Sequence, residues 1–197
     1  MQNFKNSEIQ KLKRLRLLSI GFLVTINMLI IGFLAYISYQ VFEARDLKES
    51  FIASFFPTLF SIQLILAAAF SPLIFIISRR FGNAIREIRD LNADFTLLYQ
   101  NYINMIGRPF PVIPKFLISQ KGLFIFKNFR THLLAPESIS KIEIERVNLG
   151  RFGKKCHISF YEGNQFKTKI TYDSTYPEEA DFLTDHIHLI NRDIIIQ

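Results

Sequence analysis

The sequence contains a single cysteine and no tryptophan. With only Cys156 available, no disulfide can form within the chain, and we expect that residue to lie in a reducing compartment. Cys156 belongs to a stretch of alternating apolar residues, which is typical of a small buried side chain. Disulfide-stabilised secreted folds are therefore excluded, and the fold must be held together by its apolar residues.

Charged residues are absent from two long apolar stretches, residues 17–39 and 51–78. Each exceeds the roughly 20 residues that a helix needs to cross a bilayer. Residues 40–50 between them are short enough to predict a helical hairpin with a small outer loop. The first stretch is also longer than the apolar part of a signal peptide, about 7 to 15 residues, so we expect it to remain as a membrane anchor.

Basic residues are concentrated on both outer sides of this hairpin. Residues 1–16 contain Lys5, Lys11, Lys13, Arg14 and Arg16 with one acid, and the second stretch is followed by Arg79, Arg80, Arg86 and Arg89. Short loops rich in Lys and Arg stay in the cytoplasm, which predicts a multi-pass protein of the cell (inner) membrane with both termini cytoplasmic. The four arginines are candidate contacts for anionic lipid or for a partner.

Two polar side chains interrupt the apolar stretches, Asn27 in the first and Gln63 in the second. We expect them to form an intramembrane helix contact, since amides in membranes hydrogen-bond across helices. The alternative is a polar lining for a transport pathway. The absence of ionisable residues from both stretches argues against an ion or proton relay.

After the second stretch, the pattern changes twice. Apolar residues recur every three or four positions over residues 79–106, which predicts an amphipathic juxtamembrane helix ending near Gly107. Residues 107–114 contain three prolines, which favour an extended and stiff linker.

The remaining residues, 115–197, alternate with a period of two and predict a cytoplasmic antiparallel β meander or partial barrel. Strands are expected at residues 116–119, 123–127, 142–147, 156–161 and 165–172, separated by turns rich in Gly and Asn. Pro177 opens a C-terminal helix with Glu178 and Glu179 in its first turn. The predicted fold class is a membrane α-helical hairpin followed by an α+β soluble domain.

This C-terminal part resembles bacterial pleckstrin-homology-like (PH-like) domains. The residues that carry the resemblance are Gly122, Phe124 and Phe126 in one hairpin, Ile139, Ile142 and Ile144 at the entry to the next strand, and the closing helix. The whole chain is similar to small bacterial membrane proteins with two spans and such a domain. The resemblance implies a binding platform with seven strands, so residues 130–135 would supply a sixth strand.

Residues that carry chemistry are scarce in this sequence. It contains no nucleotide-binding glycine motif and no metal-binding arrangement of His and Cys, and we expect no cofactor, no catalysis and no nucleic-acid binding. The most basic tip of the predicted domain combines Arg151, Lys154 and Lys155. This tip is a candidate contact for anionic lipid or a partner.

Two functions remain open. One is a non-enzymatic membrane-anchored adaptor that presents the PH-like domain to a protein partner. The other is an accessory subunit of a transport or secretion complex, in which the spans are the working part. Weak binding to anionic lipid is compatible with either function.

Overall fold

The computed structural model describes residues 1–44, 48–107, 113–127, 130–148, 154–173 and 177–197. The chain divides into two compact units. We call Lys13–Phe81 the hairpin unit, and Met1–Leu12 together with Gly82–Gln197 the β module. The β module is therefore assembled from both ends of the chain.

Two long helices provide the apolar segments of the hairpin unit, α1 (Gln2–Ala44) and α2 (Lys48–Asp90). Their most apolar windows have mean hydropathies of 2.4 and 2.3, and only 6% and 0% of those windows are buried. A core helix of a soluble protein would be buried, whereas these helices expose their apolar side chains as a membrane requires. By length and composition, both helices can cross a bilayer.

The boundaries of these helices differ from the sequence prediction. The predicted spans 17–39 and 51–78 lie inside α1 and α2, but the predicted loop 40–50 is helical at both ends. Residues 45–47 lie outside the described residues. A long apolar run locates a membrane span well, whereas the polar turns that extend the same helix beyond the run give little signal in the sequence.

The predicted helix over 79–106 is in fact two helices. Helix α2 ends at Asp90, and α3 (Ala93–Ile106) begins after Asn92, whose side chain accepts a hydrogen bond from the Phe95 amide. Asn92 is an N-cap, which fixes the start of a new helix. The predicted end is confirmed, because Gly107 closes α3 in a left-handed conformation with φ 55°.

Among the described residues, seven strands and one further α-helix complete the β module. The first sheet has the order β1-β2-β3, and the second has the order β6-β5-β4-β7. The elements are β1 (Phe116–Ser119), β2 (Gly122–Lys127), β3 (Arg130–Leu134), β4 (Lys141–Asn148), β5 (Lys154–Glu162), β6 (Gln165–Asp173), α4 (Pro177–His186) and β7 (Ile195–Ile196).

The two sheets follow different burial patterns. All described residues of β1, and all of β2 except Lys127, are buried, which requires cover on both faces of these two strands, whereas Arg130 and Leu133 of β3 are exposed. In the second sheet, one face is buried, with Ile142, Ile158 and Phe160 fully inaccessible. Helix α4 contacts β5 and β6 and contributes Leu183 to this core.

The five predicted strands are all present, and residues 130–134 supply the sixth as expected. The seventh differs from the prediction, since β7 has two residues and pairs in parallel with β4. The described strands form two open sheets, so the structure has an α+β layout without a closed barrel. Of the predicted linker 107–114, residues 108–112 lie outside the described residues, while Ile113 is buried in the module.

Candidate functional site

The predicted lipid-contacting arginines occupy different environments. Arg79, Arg86 and Arg89 are exposed on α2, whereas Arg80 is half-buried. The Nε atom of Arg86 lies 3.1 Å from the Glu87 carboxylate, which partly neutralises it. Arg79 and Arg89 therefore present the most accessible charges of this set.

The predicted basic tip falls largely outside the described residues. Arg151 lies in an undescribed segment, and the side chain of Lys154 is likewise outside the description. Lys155 is half-buried on β5, in register with Val147 of β4. The joint action of the three bases therefore stays a prediction.

Asn27 and the side-chain oxygen of Gln63, the two polar groups predicted to lie in the membrane, are both buried. Asn27 is 7% exposed, and the Oε1 atom of Gln63 is buried. That oxygen has no hydrogen-bond partner among the described residues. A buried amide without a partner is costly in an apolar medium, so Gln63 is under-satisfied in the isolated chain.

A polar junction surrounds the break between α2 and α3. The Lys5 amine donates a hydrogen bond to the Leu91 carbonyl at 2.7 Å, and the Gln120 amide donates to the Asp90 carbonyl at 2.6 Å. Both carbonyls belong to the end of α2, where no intrahelical donor remains. Three distant parts of the chain, namely the start of α1, the helix break and the β1–β2 turn, meet here.

The junction also binds the one base of the β1–β2 turn. Lys121 Nζ lies 2.9 Å from Asp90 and 3.4 Å from Glu87, and the hydrogen bond to Asp90 raises the pKa of Lys121. The charge of Lys121 is thus paired within the chain, where it holds the β1–β2 turn against the end of α2.

Sequence reasoning missed this junction, although one local signal was present. Asn92 followed by Asp94 is an N-terminal helix signal inside an otherwise helical pattern. The contacts of Lys5 and Gln120 had no such signal, because they join residues 86 and 30 positions apart.

An aromatic cluster lies where α3, β1 and α4 meet. Tyr102 stands 4.8 Å from Phe116 and 5.3 Å from Phe182 between ring centroids, and its hydroxyl donates to Glu179 at 3.4 Å. Burial raises the pKa of neighbouring Tyr99 well above its usual range. The adjoining cavity has about 10 Å³, room for about one water and too little for a substrate.

The solvent-facing side of the second sheet, which we call the outer face, carries an ordered polar cluster. The Tyr161 hydroxyl donates to Glu143 at 2.7 Å, and Lys141 pairs with Glu143 at 2.6 Å. These bonds hold the pKa of Glu143 below its usual value, with the Lys141 contact contributing most. The ring of Phe166 lies 5.8 Å from that of Tyr161.

The side chains of Cys156, His157 and His186 make local contacts within the β module. Among the described residues, no group of three or more His, Cys, Asp or Glu side chains is placed to hold a metal ion. Burial raises the pKa of Cys156, which keeps its thiol protonated and weakly nucleophilic. His157 bonds to Thr171 at 3.0 Å, and His186 bonds to the Phe182 carbonyl at 2.8 Å.

Comparisons with protein-family models, curated proteins and solved structures find no match to this chain.

Proposed function

We propose that this protein is a membrane-anchored, non-enzymatic adaptor, which holds a PH-like β module at the cytoplasmic face of the cell (inner) membrane. The observation that carries the proposal is the assembly of that module from both sides of the hairpin. Residues 1–12 and 82–197 form one compact unit, and each part is joined directly to one apolar helix.

This arrangement supports a same-side topology. A module that includes both chain segments flanking a two-helix hairpin requires those segments to lie on the same side of the membrane. The excess of Lys and Arg before α1 and after the apolar part of α2 favours the cytoplasmic side. A binding role is supported by the small volume of the described cavity, which leaves the surface of the module as the place for contacts.

The PH-like assignment of the module is part of this proposal. Its support is the sequence of six antiparallel strands in two sheets, followed by a helix that packs on the second sheet. Folds of this kind serve many unrelated binding roles, so the partner must be sought through the surface of the module.

Topology is tested by cysteine labelling in intact cells, with Cys156 replaced by Ser. A cysteine introduced at Lys48 should react with a membrane-impermeant maleimide, whereas cysteines at Asn3 and Asp193 should react only after lysis. Labelling of either terminal position in intact cells would contradict the cytoplasmic placement of the module.

The second candidate function is an accessory subunit of a membrane transport or secretion complex. The Oε1 atom of Gln63 is buried and has no hydrogen-bond partner among the described residues, and Asn27 is also buried. Both observations favour this function, since polar groups in membrane helices often bind neighbouring helices. A third reading, an anionic-lipid-binding module, relies on the exposed arginines of α2 and on the basic tip.

One photocrosslinking experiment separates the first two candidates. A photoreactive residue is placed at exposed module positions, Leu133 or Leu189, or at exposed hairpin positions, Leu29 or Ile65. Discrete adducts to another protein from the module positions alone support the adaptor. Adducts from the hairpin positions alone support the accessory subunit and contradict the adaptor.

Lipid binding is tested by mixing the purified full chain, held in nanodiscs of neutral lipid, with vesicles that contain or lack anionic lipid. Since each exposed base contributes roughly 1 kcal/mol near an anionic surface, lipid contact should be weak and salt-sensitive. Strong retention on anionic vesicles, lost when Arg151, Lys154 and Lys155 are all changed to Glu, would make lipid recognition the primary function.

A further inference from the structure

Charges on the outer face are distributed unequally between its strands. Strand β4 presents Glu143 and Glu145 together with Lys141, which pairs with Glu143, while the outer strand β6 presents Lys169. Glu143 and Lys169 are both in register with Ser159 of the central strand β5, so they lie at the same level on either side of it. Neither Glu145 nor Lys169 has an ion-pair partner among the described residues.

This pattern is complementary to itself. A rotation of 180° about an axis parallel to β5 places a second copy face to face with the first and exchanges the positions of β4 and β6. Glu143 of each copy then lies over Lys169 of the other, and the contact occurs twice by symmetry. A two-fold interface of this kind requires one self-complementary surface and no other partner.

The same rotation gives the exposed aromatic residue a partner. Phe166 is 53% exposed and, through Tyr161, is in register with Lys141. In the rotated copy, Lys141 lies over Phe166, which allows a cation–π contact in addition to the burial of the ring. Exposed aromatic side chains beside ordered polar groups are typical of interface anchors.

Among the described side chains of this face, Lys155 is the charge that meets a like charge, and it lies at the rim of the contact between the two copies. Lys155 is on β5 and faces its own counterpart in the rotated copy, but it is separated from Ser159 by four positions along the strand. Sheets that pack face to face cross at about 30° because of their twist, so residues remote from the centre of contact move apart. The contact is therefore centred on Ser159 and Tyr161.

We propose that the outer face is a homodimerisation surface, on which a second copy of this chain docks about a two-fold axis along β5. A three-stranded face is small for a stable soluble dimer, but the hairpin confines both copies to one membrane and raises their effective concentration. This self-association goes beyond the adaptor function and does not depend on it.

The test uses the full chain in its native membrane, with Cys156 replaced by Ser. Packed sheets are about 10 Å apart, so a bifunctional maleimide of that span should join Ser159→Cys to its counterpart. Asp185→Cys is the matched control, because Asp185 is exposed on α4, which packs against the opposite face. A mixture of differently tagged Glu143→Cys and Lys169→Cys chains should crosslink more than either chain alone.

Charge reversal tests the charged contacts themselves, with the Ser159→Cys crosslink as the readout. Lys169→Glu should lower the Ser159→Cys dimer fraction by about fivefold or more, because two like-charge contacts replace two attractive ones. Adding Glu143→Lys to that variant should restore the dimer. The proposal would be overturned if the Ser159→Cys dimer were no more abundant than the Asp185→Cys dimer. It would also be overturned if Ser159→Cys crosslinked to a different protein, or if charge reversal left the dimer fraction unchanged.

Discussion

Lys5 and Leu91 are 86 positions apart, yet the Lys5 ammonium donates a hydrogen bond to the Leu91 carbonyl at 2.7 Å. This bond ties the first turns of α1 to the end of α2, and it is accompanied by Phe4 against Tyr99, with ring centroids 6.0 Å apart. Leu12 is also 2% exposed. The start of the chain is therefore a structural part of the β module.

Removal of the Lys5 ammonium should destabilise the module. Lys5→Met keeps the aliphatic stem but leaves the Leu91 carbonyl without its donor, which should cost about 1 kcal/mol. Thermal unfolding of the detergent-solubilised chain measures the change. Lys13→Met is the control, since Lys13 is exposed on the same helix and its side chain makes no hydrogen bond to any described residue. Equal stabilities of the two variants would show that the bond is not maintained in solution.

Gly122 should not tolerate a side chain. Its φ is 123°, and a Cβ atom there would stand 2.2 Å from the Leu134 carbonyl oxygen of β3. Gly122→Ala combines backbone strain with a backbone collision and should cost about 3 kcal/mol or more. Gly163→Ala is the matched control, because φ is 57° but nothing lies within 4 Å, so strain of about 1 kcal/mol is expected. Chemical denaturation of both variants measures their losses in free energy of unfolding. Similar losses for the two variants would mean that β3 does not approach Gly122 closely.

The pH dependence of the junction should follow Lys121. Its pKa is raised above the usual 10.5 by Asp90 first, with Glu87 adding to the effect. A raised pKa means that the contribution to stability is complete below about pH 10.5 and is lost as the pH rises through the folded-state value.

We therefore expect the melting temperatures of the wild-type chain and of Lys121→Gln to differ by a constant amount between about pH 7 and 9 and to converge at higher pH. Both partners are solvent-accessible, so the difference should be small and should decrease with added salt. A difference that grows above pH 10.5 would contradict the assignment.

A fragment limited to the predicted domain should not fold stably. Residues 110–197 lack Tyr102 of α3, which packs against Phe116 and Phe182 in the complete module, and Tyr99, which packs against Tyr102. We expect this fragment to bind a hydrophobic dye and to unfold without a sharp transition, because its aromatic surface is exposed.

The longer fragment 82–197 serves as the comparison and should unfold more cooperatively. A synthetic peptide of residues 1–12 should stabilise it further, as expected for a ligand that binds only the folded state. If residues 110–197 alone unfolded cooperatively and were as stable as residues 82–197, the predicted domain would fold autonomously and α3 would only pack beside it.

The sequence by itself determined the elements that depend on local pattern. Two uninterrupted apolar runs predict two spanning helices, because a bilayer sets the required length directly. Alternation over 142–147 and 156–161 predicts strands and also their buried face, as Ile142 and Ile158 show. Gly107 and Pro177 mark helix boundaries through their own backbone preferences.

Only the tertiary structure decided which distant residues meet. In the sequence, Lys5 is one of several basic residues before a membrane span, and Lys121 is a turn residue. The role of Lys5 depends on the carbonyl of Leu91, and that of Lys121 depends on the carboxylate of Asp90. The two-residue strand Ile195–Ile196 is too short to carry a period and exists because β4 supplies its partner. Periodicity encodes which face of an element is buried, whereas long-range polar contacts require the packed chain to bring their partners within hydrogen-bond distance.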